Sequence, residues 1–216
     1  MTTKQFIKKV VFWFLPKSIK LSYENKKIIE AWERRGRPCP PPEIIKRQYI
    51  SKIQKKKHLE VFIETGTYLG DMIFAQLKNF KKLYSIELSE ELYEKAKKRF
   101  LAYPHVKILQ GDSGVVLKDV LAEIDTTCMF WLDGHYSGVF NGVQTVKGDK
   151  DSPILEELSI IFDSGYNHAV LIDDARLFTG RNDYPTIDAL KAFILSKKPG
   201  SIIEIKDDII YADLKS

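Results

Sequence analysis

Glu64-Thr65-Gly66-Thr67-Tyr68-Leu69-Gly70 follows an apolar run, Val61-Phe62-Ile63, and opens a helical pattern over residues 69–79. Glycine permits a tight turn and close approach of a ligand to the backbone, and the helix start offers free amide donors. From this turn onward strands and helices alternate along the chain. Strand patterns at 59–64, 82–87, 105–110, 127–133 and 167–173 alternate with helical patterns at 69–79, 89–101, 114–124, 153–163 and 184–197. Strict alternation implies right-handed crossovers and a parallel sheet covered on both faces. The finish differs: Ser201-Ile202-Ile203-Glu204-Ile205-Lys206 and Ile209-Ile210-Tyr211-Ala212-Asp213 flank a tight Asp207-Asp208 turn. That hairpin places one antiparallel strand in an otherwise parallel seven-stranded α/β sheet.

The chain has 216 residues, 44% hydrophobic and 29% charged, which suits one globular domain with a sizeable core and excludes disorder, collagen and tandem repeats. Its two cysteines, Cys39 and Cys128, have no metal-like spacing, so a reducing compartment is expected. The net charge of +5 hides an asymmetry: residues 1–58 carry 16 Lys+Arg against 4 Asp+Glu, while residues 59–216 carry 18 against 25. A basic extension over 1–58 thus precedes an acidic body over 59–216. The cluster Pro38-Cys39-Pro40-Pro41-Pro42 interrupts the extension. Residues 43–57 then read as a lysine-rich helix that lays Ile44, Ile45, Tyr49, Ile50 and Ile53 on the body.

In open α/β sheets ligands bind beyond the carboxyl ends of the strands. The second strand closes with Ser85-Ile86-Glu87-Leu88, and Glu87 lies 21 residues after Gly66, the spacing of an acid that binds a ribose diol. The first turn lacks the middle glycine of the dinucleotide pattern and is led by Glu64. An acid there repels a pyrophosphate and suits a zwitterion such as the methionine end of S-adenosylmethionine. After the third strand, Gln110-Gly111-Asp112-Ser113 offers a carboxylate and a hydroxyl to an adenine.

The fourth strand closes with Trp131-Leu132-Asp133-Gly134-His135-Tyr136 and the fifth with Leu171-Ile172-Asp173-Asp174-Ala175-Arg176. Asp133, Asp173 and Asp174 would converge on one cleft, where a divalent cation relieves their repulsion; all-oxygen donors favour magnesium, manganese or calcium. An alternative stays open, in which Asp174 caps a turn and Asp173 pairs with Arg176 or a lysine. The loop 137–150 beside this cleft is a candidate lid and specificity element. Asp151-Ser152-Pro153 fits a helix start with Ser152 as cap.

Together, Glu64-Thr65-Gly66, Ile86-Glu87 and Gly111-Asp112-Ser113 resemble the cofactor motifs of class I S-adenosylmethionine-dependent methyltransferases. The resemblance spans residues 59–213 and implies a Rossmann-like fold, with Glu64, Thr65, Gly66, Thr67, Gly70, Glu87, Leu88, Gly111, Asp112, Ser113 and Asp133 around the cofactor. The strand-end acids further resemble cation-dependent O-methyltransferases of the catechol, caffeoyl-CoA and macrocin types, which implies Asp133, Asp173 and Asp174 as ligands of magnesium or manganese. Catechol-type enzymes carry a lysine base where this chain has Tyr136, so His135 is the nearest substitute, beside Asp133.

The resemblance implies methyl transfer to a hydroxyl of a sugar or small polyol. Two other readings stay open: an RNA methyltransferase with the basic extension as clamp, and a noncatalytic binding protein. The fourth strand ends in Leu-Asp-Gly-His and lacks the Pro-Pro-aromatic motif of base N-methylating enzymes, which speaks against nucleic acid. The run Val10-Val11-Phe12-Trp13-Phe14-Leu15 is too short to span a bilayer. With its lysines, the segment 1–20 suits either a membrane interface, as a peripheral contact, or packing on the body or a second copy. The chain is expected to stay in the cytoplasm.

Overall fold

A computed structural model of the chain describes residues 16–134, 139–140, 143–144 and 152–216. The run Val10–Leu15, His135, Tyr136 and most of the loop 137–150 lie outside the described residues.

Strand β1 (Val61–Thr65) is buried at every position, with Val61 and Ile63 in one apolar layer and Phe62 in the other. A strand buried on both faces belongs in the middle of a parallel sheet. It pairs in parallel with β2 (Lys82–Glu87) on one side and β4 (Met129–Leu132) on the other. Outside these lie β3 (Val106–Gln110) and β7 (Ala169–Ile172), also parallel. The terminal hairpin, β8 (Ile202–Lys206) and β9 (Ile209–Asp213), inserts β9 antiparallel between β7 and β8. The seven-stranded order is β3-β2-β1-β4-β7-β9-β8. Asp207 and Asp208 both have φ in the left-handed region, as the two-residue turn of a right-twisted hairpin requires.

One face is covered by α5 (Ser113–Ala122), α6 (Ile154–Asp163) and α7 (Ile187–Lys197), which contribute Leu117, Leu158 and Ile194 to its core. The other is covered by α2 (Glu43–Lys57), α3 (Asp71–Gln76) and α4 (Glu90–Phe100), through Ile50 and Ile53, Ile73, and Phe100. The lysine-rich segment is therefore one of the sheet's covering helices. Before it, α1 (Lys17–Arg34) ends beside the proline cluster, where Trp32 is buried and its indole N–H donates to the Pro38 carbonyl at 2.8 Å.

Three local expectations change. The helix expected over 69–79 starts at Asp71, because Gly70 takes a left-handed φ of 76° at its N-cap. At α6 Pro153 holds the N-cap position, and no side chain caps the helix; Ser152 is buried instead. Within the loop 137–150, β5 (Val139–Phe140) and β6 (Val143–Gln144) pair as a short antiparallel hairpin. Among the described residues, no helix is long and apolar enough to cross a membrane.

Candidate active site

The strand order reverses at β1, whose successors β2 and β4 flank it, which is where a parallel sheet of this kind takes its ligand at the carboxyl edge. Gly66 stands at that point. With φ at +84°, a Cβ at this position would stand 2.5 Å from the Asp133 carbonyl oxygen, so the turn after β1 passes the end of β4 only as glycine. We predict that Gly66→Ala destabilises the fold by at least the ~1–2 kcal/mol of a left-handed Cβ, seen as a lower urea midpoint.

Beneath this turn Glu64 is 2% exposed, and its Oε2 accepts from Ser85 Oγ at 2.5 Å. Thr67 Oγ1 lies 2.6 Å from the same Ser85 hydroxyl. Burial holds the Glu64 carboxyl well above its ordinary pKa; the Ser85 bond opposes this, and the charges of Asp133 and Glu87 add to it. Such a group gains most from a cationic neighbour, and an amino-acid ammonium is one.

Glu87 ties the turn to β2. Its Oε2 accepts the Tyr68 amide at 2.8 Å and its Oε1 the Ser89 amide at 2.9 Å. Burial raises its pKa against those amide bonds. At the end of β3, Gly111 donates its amide to the Glu87 carbonyl at 2.9 Å. Asp112 Oδ1 accepts the Gly114 amide at 2.8 Å, capping α5, so part of this carboxylate already serves the helix start. Leu88 is half-buried, and its carbonyl accepts from Gln110 Nε2 at 3.1 Å. The structure thus places Glu64, Thr65, Gly66, Thr67, Glu87, Gly111 and Asp112 at the neighbouring carboxyl ends of β1, β2 and β3. Gly70 departs from the expectation: a Cβ there would stand 2.6 Å from the Phe100 ring, so its role is in packing the turn on α4.

The sequence reading passed over Glu157. It is 2% exposed on α6, against the hydroxyls of Ser113 and Thr65, and burial raises its pKa to about 7. A Cβ on Gly134 would meet its Oε1 at 3.3 Å. This acid therefore sits under the ends of β1, β3 and β4 together. The missed signal was its place beside Ile154, Leu158 and Ile161, on the apolar face of the helix.

At the ends of β4 and β7 the charges of Asp133 and Asp174 act on Asp173, and two cations accompany these aspartates. Lys46, on α2, is 7% exposed and places Nζ 2.5 Å from Asp173 Oδ2 and 3.9 Å from Asp174 Oδ1. Asp173 Oδ1 accepts the Asp174 amide at 2.8 Å. Asp174 Oδ1 pairs with Arg176 Nη1 at 2.7 Å, and the same guanidinium pairs with Asp208 in the β8–β9 turn. Burial penalises the Lys46 ammonium, yet Asp173, Glu43 and Asp133 more than offset that and raise its pKa. Asp173 is raised well above the ordinary range by burial and by Asp133, with Lys46 opposing. The lysine left open as a partner of Asp173 is Lys46, a residue the sequence did not single out. Its signal was periodicity: Lys46, Ile50, Ile53 and Lys57 fall on one helical stripe, two lysines bracketing two buried isoleucines.

No family model matches the chain, and no curated protein matches it. Solved structures do. A Podospora anserina methyltransferase bound to S-adenosylhomocysteine superposes with a TM-score of 0.58 at 16% identity, covering 94% of this chain and 99% of that one. The chain has the class I methyltransferase fold. A Bacillus cereus O-methyltransferase in complex with S-adenosylhomocysteine gives 0.57 at 10% identity over 98% of this chain and 96% of the other. A Streptomyces achromogenes O-methyltransferase involved in tomaymycin synthesis, in complex with S-adenosylmethionine, gives 0.56 at 14% identity over 89% of each.

Within this methyltransferase fold, the strand-end residues fit a cofactor of that chemistry: a glycine whose missing Cβ leaves the turn open, and two buried acids at the ends of β1 and β2. The trio does not fit a divalent cation equally well. Asp173 gives its two oxygens to Lys46 and the Asp174 amide, and Asp174 gives one to Arg176. Among the described residues no three acid, imidazole or thiol groups are placed to hold a metal ion.

Proposed function

We propose that this protein binds S-adenosylmethionine at the carboxyl ends of β1, β2 and β3 and methylates a hydroxyl of a sugar or other small polyol. The observation that carries this reading is the buried pair Glu64 and Glu87 on either side of the glycine turn, in the class I methyltransferase fold. Glu64 faces the ammonium of the amino-acid end, Glu87 the ribose hydroxyls, and Asp112 with Ser113 the adenine. The bound cofactor would supply the reactive sulfonium methyl. The chain supplies the rest: strand ends that fix the cofactor in line with the acceptor, and acids at β4 that face the acceptor's proton. Asp133 is the described candidate for that proton, and His135 its partner in the sequence reading. The hydroxyl class follows from the likeness of the strand-end aspartates to O-methyltransferases.

Calorimetry with S-adenosylhomocysteine tests the cofactor, and a panel of sugar and polyol acceptors tests the class. Absence of tight cofactor binding would overturn the reading. Glu87→Ala should weaken that binding by about 1–3 kcal/mol, the cost of hydrogen bonds to a charged group. An unchanged dissociation constant would remove Glu87 from the ribose site.

A further inference from the structure

Three carboxylates at adjacent strand ends need positive charge, and the chain carries its own. Lys46 comes from a segment 127 residues from Asp173, on a helix anchored at both ends over β7 and β9. At the carboxyl edge Lys46 Nζ meets Asp173, and at the opposite edge Lys57 Nζ meets Asp213 Oδ1 at 2.5 Å. Between them Ile50 and Ile53 are buried against the sheet, so the helix cannot slide without exposing its apolar stripe. The ammonium is therefore held in register with the acids.

Local electrostatics would not place a cation there. Lys46 lies in the first turn of α2, where the helix dipole disfavours positive charge, and lysine is almost never buried unless paired. What holds it is the ring of acids: Asp173 at 2.5 Å, Glu43 Oε1 at 3.4 Å, Asp174 at 3.9 Å, and the Asp133 charge. A divalent ion bound to Asp173 would have to share Oδ2 with that ammonium and would repel it.

We infer that Lys46 is the resident cation of this site, standing where a metal stands in the enzymes the sequence resembles. It neutralises the trio, excludes a divalent ion and makes the site metal-independent. What the site is used for rests on the methyltransferase reading; the exclusion of metal does not.

The test uses the full chain, stripped with chelator, and follows melting temperature and calorimetric binding with millimolar Mn2+ or Mg2+. Wild type should show neither a thermal shift nor specific binding. Lys46→Met, which keeps the aliphatic stem and removes the charge, should let the freed Asp173 and Asp174 carboxylates close on a cation and gain about 5 °C at saturation. Adding Asp173→Asn to that variant should abolish the gain. A cation-induced shift in wild type that Asp173→Asn removes would overturn the inference, as would a folded Lys46→Met protein indifferent to both ions. If Lys46→Met does not fold, Lys46→Gln takes its place and the wild-type measurement still decides. S-adenosylhomocysteine binding on the same wild-type sample separates the two readings. Its loss sinks the methyltransferase reading alone, whereas cofactor binding together with a wild-type metal site sinks the resident-cation inference alone.

Discussion

Without cation present, Lys46→Met should lower the stability of the folded protein by about 3–5 kcal/mol, the cost of removing one partner from a buried ion pair. The magnitude follows from what stays behind. Asp173 is 4% exposed and keeps Asp133 and Asp174 as neighbours of like charge, so it loses its compensation in a place water does not reach. Urea denaturation should show a lower midpoint with an unchanged slope, since the exposed surface on unfolding is the same. The double variant Lys46→Met with Asp173→Leu should recover most of the loss, because replacing both members of a buried pair by apolar groups is often neutral. A single variant as stable as wild type would show that the pair is not desolvated as the geometry implies. A double variant no better than the single would point instead to lost packing of the lysine stem.

The same residue shows where sequence reading reached and where it stopped. The central strands were legible because burial on both faces leaves unbroken apolar runs, such as Val61-Phe62-Ile63 and Ala169-Val170-Leu171-Ile172; the exposed edge strands β3 and β8 were read from their place in the alternation and in the hairpin. The hairpin was legible from Asp207-Asp208, two residues that tolerate positive φ between β-branched runs. Strand ends were legible from the polar residues that close each run, Glu64, Glu87, Gln110 with Asp112, Asp133 and Asp173, which must lie at the carboxyl edge. Contacts between elements distant in sequence were not. Asp173 was read as a metal ligand because its neighbours along the chain are acids. The lysine that answers it arrives from an extension whose sixteen basic residues look alike until the sheet selects one. Arg176 or a lysine was weighed as the partner of Asp173: Lys46 takes that place, and Arg176 pairs with Asp174 and Asp208 instead. Glycines divide in the same way: Gly66 and Gly70 both have positive φ, yet one lets the turn pass the end of β4 and the other makes room for Phe100, a difference carried by residues the motif does not contain.

Glu157→Gln should stabilise the protein by about 3 kcal/mol above pH 7 and by little near pH 4. In the folded chain burial moves this carboxyl from 4.5 to about 7, so the native state holds its proton where the unfolded chain has released it. A raised folded pKa contributes stability that is complete below the unfolded value and is lost as pH rises through the folded one. Each displaced unit is worth 1.36 kcal/mol, hence the size of the effect. Asp112 and Glu156 add repulsion, while the Ser113 and Thr65 hydroxyls favour the charged form; a glutamine amide fills the same space and carries no charge. An opposing term hides this slope in wild type. His168 is fully buried, accepts the Cys128 amide at Nδ1 at 3.0 Å and sits 2.8 Å from Ser164 Oγ, and burial with the Lys198 charge lowers its pKa to about 4. A lowered folded pKa contributes stability present above 6.5 and lost as pH falls through 4, so the histidine and the glutamate tilt the profile in opposite senses across the same window. Glu64, also raised by burial, tilts it the same way as Glu157 and is common to both proteins, so the difference between variant and wild type isolates position 157. In urea denaturation from pH 4 to pH 8, the midpoint of Glu157→Gln should therefore exceed that of wild type by a margin that grows between pH 4.5 and 7. Parallel curves over that range would mean that Glu157 is charged in the native state at acid pH, with Ser113 and Thr65 outweighing its burial.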